Sequence, residues 1–221
     1  MLPPSQLPSF PLQACEVVRP TPLGVGTDAY YGLSFYLPPD WHSEANGGGS
    51  FWGIAIAQLH FQNIWGSPIE LELHGTHLTL ALETGACNSH LTRNPGCRWR
   101  SNADAPHGSA TNLPGLYAIP RPLLDGMWHE VIMRVRWAAD SSGAIQVWTR
   151  SQQATGWTQT VHFTGFPTVQ WDRTRGCCET TAADKIGAYR GVSATPVAVW
   201  LGGIVVGTSF QAVSAALPGI S

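Results

Sequence analysis

The chain has 221 residues, of which 12% are charged and 43% are apolar, and its formal net charge is −2. A chain of this length can form one large all-β domain or two small ones, and it is long enough to bury a sizeable hydrophobic core. The slightly negative charge argues against nucleic acid as a partner, and no apolar run approaches the roughly 20 residues that span a membrane.

The predicted elements, taken in chain order, are short strands separated by turns. With 24 glycines, 17 prolines and 10 tryptophans, the composition favours strands and turns over helices. No stretch of helical length has a helical hydrophobic period. Strands are predicted over residues 29–37, 51–60, 69–73, 78–83, 128–137, 144–150, 158–163, 184–189 and 197–206.

Two short turns join neighbouring strands into hairpins. Residues 74–77 are His-Gly-Thr-His and residues 140–143 are Asp-Ser-Ser-Gly, each between strand-like runs, as hairpin turns require. Short strands at regular intervals predict an all-β fold, an antiparallel β-sandwich of jelly-roll type. We expect one domain over 15–210, with a proline-rich tail over 1–14 and a C-terminal tail over 211–221.

Residues 84–114 interrupt the series of short strands, because they have little strand character. An irregular stretch of this length is often a functional loop. Arg93, Arg98 and Arg100 lie in it, with no acidic residue between Cys87 and Arg100. Guanidinium groups bind carboxylates and sulfates in a bidentate manner. The loop is therefore a candidate anion-binding segment, with a solvated surface loop as the structural alternative.

The cysteines indicate an oxidising compartment. Cys87 and Cys97 bracket a polar loop and are predicted to form a disulfide, and the odd total leaves at least one thiol unpaired within the chain. We therefore expect an extracellular or secreted protein, although residues 1–10 have neither the basic nor the apolar region of a signal peptide. The five cysteines are Cys15, Cys87, Cys97, Cys177 and Cys178.

Two short segments carry the polar residues of greatest chemical interest. Gln58 and His60 lie two apart on one predicted strand, and Lys185 and Tyr189 lie on another. Residues two or four apart on a strand point to the same face. If the strands are neighbours, an amide, an imidazole, an ammonium and a phenol converge on one surface. Such a set can neutralise a carboxylate, remove a proton from carbon and protonate a leaving oxygen.

Together these segments resemble the polysaccharide lyase superfamily with a concanavalin A-like jelly roll. The likeness is to the heparin-lyase and glucuronan-lyase type, with alginate lyases as more distant relatives. It spans roughly residues 15–210. The segments that carry it are 30–38, 57–60, 128–131, 143–148, 185–190, 199–201 and 204–209.

The resemblance implies a lyase that cleaves a uronic-acid-containing polysaccharide by β-elimination. Gln58 would neutralise the uronate carboxylate and His60 would act as the base. Tyr189 would protonate the leaving oxygen, with a role as base as a second possibility, and Lys185 would add positive charge. No cofactor is implied, and no metal is expected, because His74 and His77 have no apparent third ligand.

Further side chains are candidates for binding an acidic polysaccharide or oligosaccharide. The arginines can pair with anionic groups, and loop tryptophans can stack on sugar rings. The predicted substrate-binding residues are Arg93, Arg98, Arg100, Arg190, Trp41, Trp65 and Trp99.

Two departures from the alginate lyase pattern keep other functions open. Alginate lyases carry an Arg-x-Glu-Leu-Arg strand, whereas this chain has Ala14 and Val18 at the arginine positions around Glu16. Their tyrosine two residues before the lysine is Ala183 here. The alternatives are a non-catalytic carbohydrate-binding module and a structural or adhesive protein of a cell or virion surface on the same sandwich.

Overall fold

Two packed sheets account for most of the chain that the computed structural model describes. The described residues are 12–21, 24–41, 54–61, 67–82, 84, 115–169, 182–191 and 198–218. Among them, no helix is both long and apolar enough to cross a membrane.

The described residues form eleven strands and one short helix. The strands are β1 (Leu12–Thr21), β2 (Asp28–Leu37), β3 (Ile54–Phe61), β4 (Ile69–His74), β5 (His77–Leu82), β6 (Gly115–Pro122), β7 (Met127–Arg136), β8 (Ala144–Ser151), β9 (Thr158–Thr164), β10 (Ala182–Gly191) and β11 (Trp200–Gly207). The helix is α1 (Phe210–Ala216).

The strands form an antiparallel β-sandwich, which confirms the predicted fold class. One sheet has six strands in the order β1-β10-β3-β4-β5-β6, and the other has five in the order β11-β2-β7-β8-β9. Every neighbouring pair runs antiparallel. The placement of β10 beside β3 brings together two segments about 120 residues apart, as the convergence of the predicted site requires.

Alternating apolar residues from both sheets fill the space between them. In β8, for example, Ile145 and Val147 are buried while Gln146 and Trp148 are only partly buried. Leu71 of the six-stranded sheet and Leu33 of the five-stranded sheet belong to the same core cluster. Burying such alternate side chains supplies the main stabilising free energy of a sandwich.

Two strands that the sequence patterns missed lie at the two edges of the six-stranded sheet. β1 contains Pro20, and β6 contains Pro120 and Pro122. Proline cannot donate a hydrogen bond within a sheet, so it is tolerated at edges but weakens the sequence pattern of a strand. β1 also begins at Leu12, within the predicted tail over 1–14.

Helix α1 covers Phe210–Ala216, so most of it lies in the segment over 211–221 that the sequence predicts as a C-terminal tail. Ser209 caps the helix, because its side chain accepts a hydrogen bond from the Ala212 N–H at 3.2 Å. Val213 is fully buried against the outer face of the five-stranded sheet. With seven residues, the helix is too short to show a clear period in sequence, and this packing stabilises it.

Candidate functional site

The predicted catalytic residues lie on the outward face of the six-stranded sheet, which we call the site face. Leu59, Ile186 and Ala188 pack against the sandwich core, so the residues alternating with them point outward. These outward residues include Gln58 and His60 on β3, and Lys185 and Tyr189 on β10. The strand alternation therefore brings all four side chains to one face.

A bulge in β3 turns Ala55 to the same outward face as Gln58 and as Tyr189, the partner of Ala55. Ile56 and Ala57 are both buried in the core cluster, whereas Ala55 is not part of it. Ala55 is paired with Glu72 on one side and Tyr189 on the other. An extra residue in one strand shifts which side chains face outward. Here it places a small, buried residue between Glu72 and Tyr189.

Gln58 lies at the centre of a row of residues that crosses the sheet. It is paired with Lys185 on β10 and with Glu70 on β4. Its Nε2 donates a hydrogen bond to Glu70 Oε1 at 3.2 Å. Gln58 is only 5% exposed, so its amide forms the floor of the site face, while Lys185 and Glu70 are half-buried beside it.

His60 and Tyr189 lie on opposite sides of this central row. His60 is two residues beyond Gln58 on β3, a distance of about 7 Å along a strand. Tyr189 lies in the other direction, opposite Ala55. Both side chains are half-buried. A sugar ring above Gln58 and Lys185 would thus have an imidazole towards one side and a phenol towards the other.

The electrostatic environment of Tyr189 favours its protonated form. Burial raises the pKa of its phenol, and the nearby charges of Glu70 and Glu16 raise it further. Burial also raises the pKa of the Glu16 carboxyl, while the positive charge of Lys185 opposes this. Tyr189 is therefore suited to donate a proton rather than to accept one.

Sequence patterns missed the acidic residues of the site face. Glu70, Glu72 and His74 occupy alternate positions of β4, and Glu16 lies on β1. Glu72 is 3% exposed and its Oε2 lies 2.5 Å from His74 Nε2. The alternation in β4 is visible in sequence, but it does not reveal that β4 is the neighbour of β3.

The prediction that Trp41 stacks on sugar is wrong. Its side chain is fully buried in the sandwich core, and its indole N–H donates to the Gly75 carbonyl at 3.3 Å. A ring enclosed by other core side chains cannot present a face to a ligand. Trp41 follows the Pro38-Pro39 turn, so its position in sequence is that of a loop residue although its environment is that of a core residue.

The other predicted residues remain predictions. Arg190 belongs to β10, but only its backbone is described. Outside the described residues lie Arg93, Arg98, Arg100, Trp65, Trp99, Cys87 and Cys97. Cys15 has a free, exposed thiol. Within the described ranges, no group of three or more histidine, cysteine or acidic residues could hold a metal ion.

Comparison with known proteins gives a family match over most of the chain. Residues 12–204 match the family described as Polysaccharide lyase. No curated protein matches the sequence.

The solved structures that this chain resembles match it at low sequence identity. The endo-β-1,4-glucuronan lyase from the fungus Trichoderma reesei superposes with a TM-score of 0.61 and 18% identity, over 93% of this chain and 79% of that chain. Alginate lyase AlyC3 in complex with dimannuronate gives a TM-score of 0.49 and 10% identity, over 85% of this chain and 66% of that chain. At 18% identity, the likeness to the glucuronan lyase is one of fold.

Proposed function

The chain belongs to the polysaccharide lyase family, and we propose that it cleaves a uronic-acid-containing polysaccharide by β-elimination. The observation that carries the proposal is the pairing of Lys185 with Gln58 on the site face. This pair provides an ammonium and an amide beside each other, with His60 and Tyr189 on either side. Neutralising a carboxylate is the requirement for making the adjacent C–H bond acidic enough to break.

In the proposed reaction, two side chains bind the uronate carboxylate and two others each transfer one proton. The Gln58 amide and the Lys185 ammonium bind the uronate carboxylate. His60 accepts the proton from C5, the electrons of that bond form the C4–C5 double bond, and the C4–O4 bond breaks. Tyr189 donates its proton to O4. One proton is taken and one is given, so the products are an unsaturated uronate and a chain with a new hydroxyl group.

The assignment of Tyr189 as the acid follows from its surroundings, and His60 is then the group assigned as the base. Tyr189 retains its proton because burial and the carboxylates of Glu70 and Glu16 raise its pKa. A neutral imidazole has a lone pair on one ring nitrogen that can accept a proton. Positioned acid and base groups each contribute about 10²–10⁴-fold to such a rate.

A non-catalytic sugar-binding protein is the second candidate. Val18 is 55% exposed and is paired with Lys185, at a position where alginate lyases carry an arginine. Loss of that charge weakens transition-state stabilisation more than simple binding, so this observation favours a protein that binds without cleaving.

An elimination assay on defined polymers tests the proposal. Polyglucuronate, polymannuronate, polyguluronate and a sulfated glycosaminoglycan would be incubated with the protein, and the ultraviolet absorbance of the unsaturated uronate would be recorded. Binding and hydrolysis produce no such absorbance. We expect elimination on at least one polymer, and absence of absorbance with measurable affinity would establish the binding protein instead.

The variant Tyr189→Phe makes the assay specific to this site. It removes one hydroxyl group and should lower kcat by about 10²-fold or more, while substrate affinity stays nearly constant. Tyr36→Phe is the matched control, because Tyr36 lies half-buried in β2 of the other sheet, against Trp200. It should retain full turnover. Equal turnover in both variants would place the chemistry elsewhere.

A further inference from the structure

Glu70 places a negative charge next to the groups that are proposed to bind an anionic sugar. It is paired with Gln58 in the register of β3 and β4 and accepts a hydrogen bond from its Nε2 at 3.2 Å. A carboxylate at this position repels a uronate and weakens its binding. Its presence is therefore not explained by affinity for the proposed substrate.

The hydrogen bond determines the orientation of the Gln58 amide. A carboxylate can only accept hydrogen bonds, so the amide nitrogen must face Glu70 and the amide oxygen must face away from it. Rotating the amide would bring two oxygens together inside a site where Gln58 is almost fully buried. Such an arrangement is strongly unfavourable because a buried donor also loses its partner.

This orientation leaves one N–H of the Gln58 amide available for catalysis. The Gln58 nitrogen carries two hydrogens, and only one is used by Glu70. The second remains to donate to a uronate carboxylate. An amide free to rotate would present its oxygen to that carboxylate for part of the time, which would repel it.

We propose that Glu70 is a positioning residue for the elimination reaction: it holds the Gln58 amide with its nitrogen available to the substrate carboxylate. The inference rests on the proposed function. Glu70 also helps to keep Tyr189 protonated, because its charge is the larger of the two carboxylate contributions that raise the phenol pKa. The hydrogen bond from the oriented amide strengthens as negative charge develops on the uronate carboxylate in the transition state, whereas in the ground state the repulsion from Glu70 offsets its contribution to binding.

The variant Glu70→Gln separates this role from a structural one. Glutamine has the same shape but can accept or donate, so it no longer fixes the orientation of the Gln58 amide. We expect kcat to fall by about 10–100-fold, the scale for a misplaced catalytic group, while KM stays constant or decreases. The alkaline limb of the pH–rate profile should move to lower pH, since Tyr189 loses its proton more readily without the Glu70 charge.

A double-variant experiment tests whether Glu70 acts through Gln58. In a Gln58→Ala background, Glu70→Gln should no longer lower the plateau of kcat, although it should still move the alkaline limb. Asp140→Asn is the charge control, because it removes a carboxylate from an exposed turn of the other sheet. It should change neither quantity. Thermal unfolding of each variant verifies that it is folded.

The readouts distinguish failure of the Glu70 role from failure of the proposed function. Wild-type elimination with an equally active Glu70→Gln variant and an unchanged pH profile would overturn the role of Glu70 and leave the proposed function intact. That role would also be overturned if Glu70→Gln lowers the kcat plateau equally with and without Gln58. A wild-type protein that eliminates none of the polymers would refute the proposed function, and with it this role for Glu70. A lowered kcat that depends on Gln58, with constant or lower KM, supports the proposal.

Discussion

Gly187 of β10 lies directly against the Cys15 carbonyl of β1, so that a Cβ at position 187 would be 2.0 Å from that oxygen. Glu16 is paired with Gly187 in the register of these strands. This register places Glu16 on the site face, because Gly187 alternates with Ile186 and Ala188, which pack against the core. Beyond burial, which raises both pKa values, Lys185 lowers the pKa of Glu16 and Glu16 raises that of Tyr189.

Gly187→Ala should therefore reduce both stability and activity. The added methyl group clashes with the backbone of β1 rather than with a movable side chain, so β1 and β10 must separate. We expect a loss of about 1–3 kcal/mol in the free energy of unfolding, the usual cost of overpacking. Denaturant unfolding measures it.

Gly156→Ala is the matched control for that substitution. Position 156 is exposed, and no atom lies within 4 Å of a Cβ built there. Its unfolding free energy should change by no more than about 0.5 kcal/mol. Equal stability of the two variants would contradict the close contact between Gly187 and Cys15.

Glu16→Gln should move the alkaline limb of the pH–rate profile to lower pH. Tyr189 can donate a proton only while it is protonated, so the rate falls as the pH rises through its pKa. Removing the Glu16 charge removes one of the causes that raise this pKa above the ordinary tyrosine value of about 10. Profiles of kcat for wild type and variant provide the measurement. An identical alkaline limb in both would show that Glu16 does not influence the proton donor.

The alternation of side chains along a strand can be read from neighbouring residues in the sequence, and it is sufficient to predict which site residues share a face. Gln58 and His60, like Lys185 and Tyr189, are predicted to share one face because strand residues two or four apart do so, and the structure places all four on the site face. The acidic partner Glu70 cannot be found this way. Its contact with Gln58 depends on which strand lies beside β3, and sequence periodicity contains no information on that order.

The elements that sequence patterns missed also depend on tertiary context. Prolines in β1 and β6 obscure strands that are tolerated only because they form the edges of a sheet. Helix α1 depends on a groove made by Gly32 and Gly207 for Val213, which is a tertiary contact. Trp41 has turn residues as its neighbours in sequence, whereas its environment is set by the packing of both sheets.

Gly32→Ala should destabilise the protein by displacing helix α1. A Cβ at position 32 would lie 2.5 Å from Val213 Cγ1, and Val213 is fully buried. We expect a cost of about 1–3 kcal/mol in unfolding free energy. Val213→Ala in the same chain removes the clashing methyl groups, so the double variant should be more stable than the sum of the single effects predicts. Additive effects would show that α1 does not pack on Gly32.

Two arginine–carboxylate pairs should differ sharply in their contribution to stability. Arg150 Nε donates to Glu130 at 2.8 Å, and the Glu130 side chain is fully buried. Arg134 donates to Asp28 at 2.8 Å, but both side chains are about one third exposed. Arg150→Met leaves a buried, uncompensated carboxylate and should cost about 3–5 kcal/mol.

Arg134→Met is the comparison for this effect. Water solvates Asp28 after the substitution, so the cost should be about 1 kcal/mol or less. Adding Glu130→Gln to Arg150→Met should recover part of the lost stability, because it removes the buried charge. Equal costs for the two arginine variants in denaturant unfolding would contradict the burial of Glu130.

Trp41→Phe should lower stability without changing sugar affinity. The smaller ring leaves a cavity in the core and removes the hydrogen bond to the Gly75 carbonyl, with an expected cost of about 1–3 kcal/mol. Trp65→Phe is the comparison, since Trp65 is predicted from sequence to stack on sugar. Unfolding and calorimetric binding to an acidic oligosaccharide would be measured for both. A ring enclosed in the core can affect sugar affinity only through the stability of the fold. If Trp41→Phe weakens sugar binding while the free energy of unfolding stays unchanged, the indole must instead face the ligand.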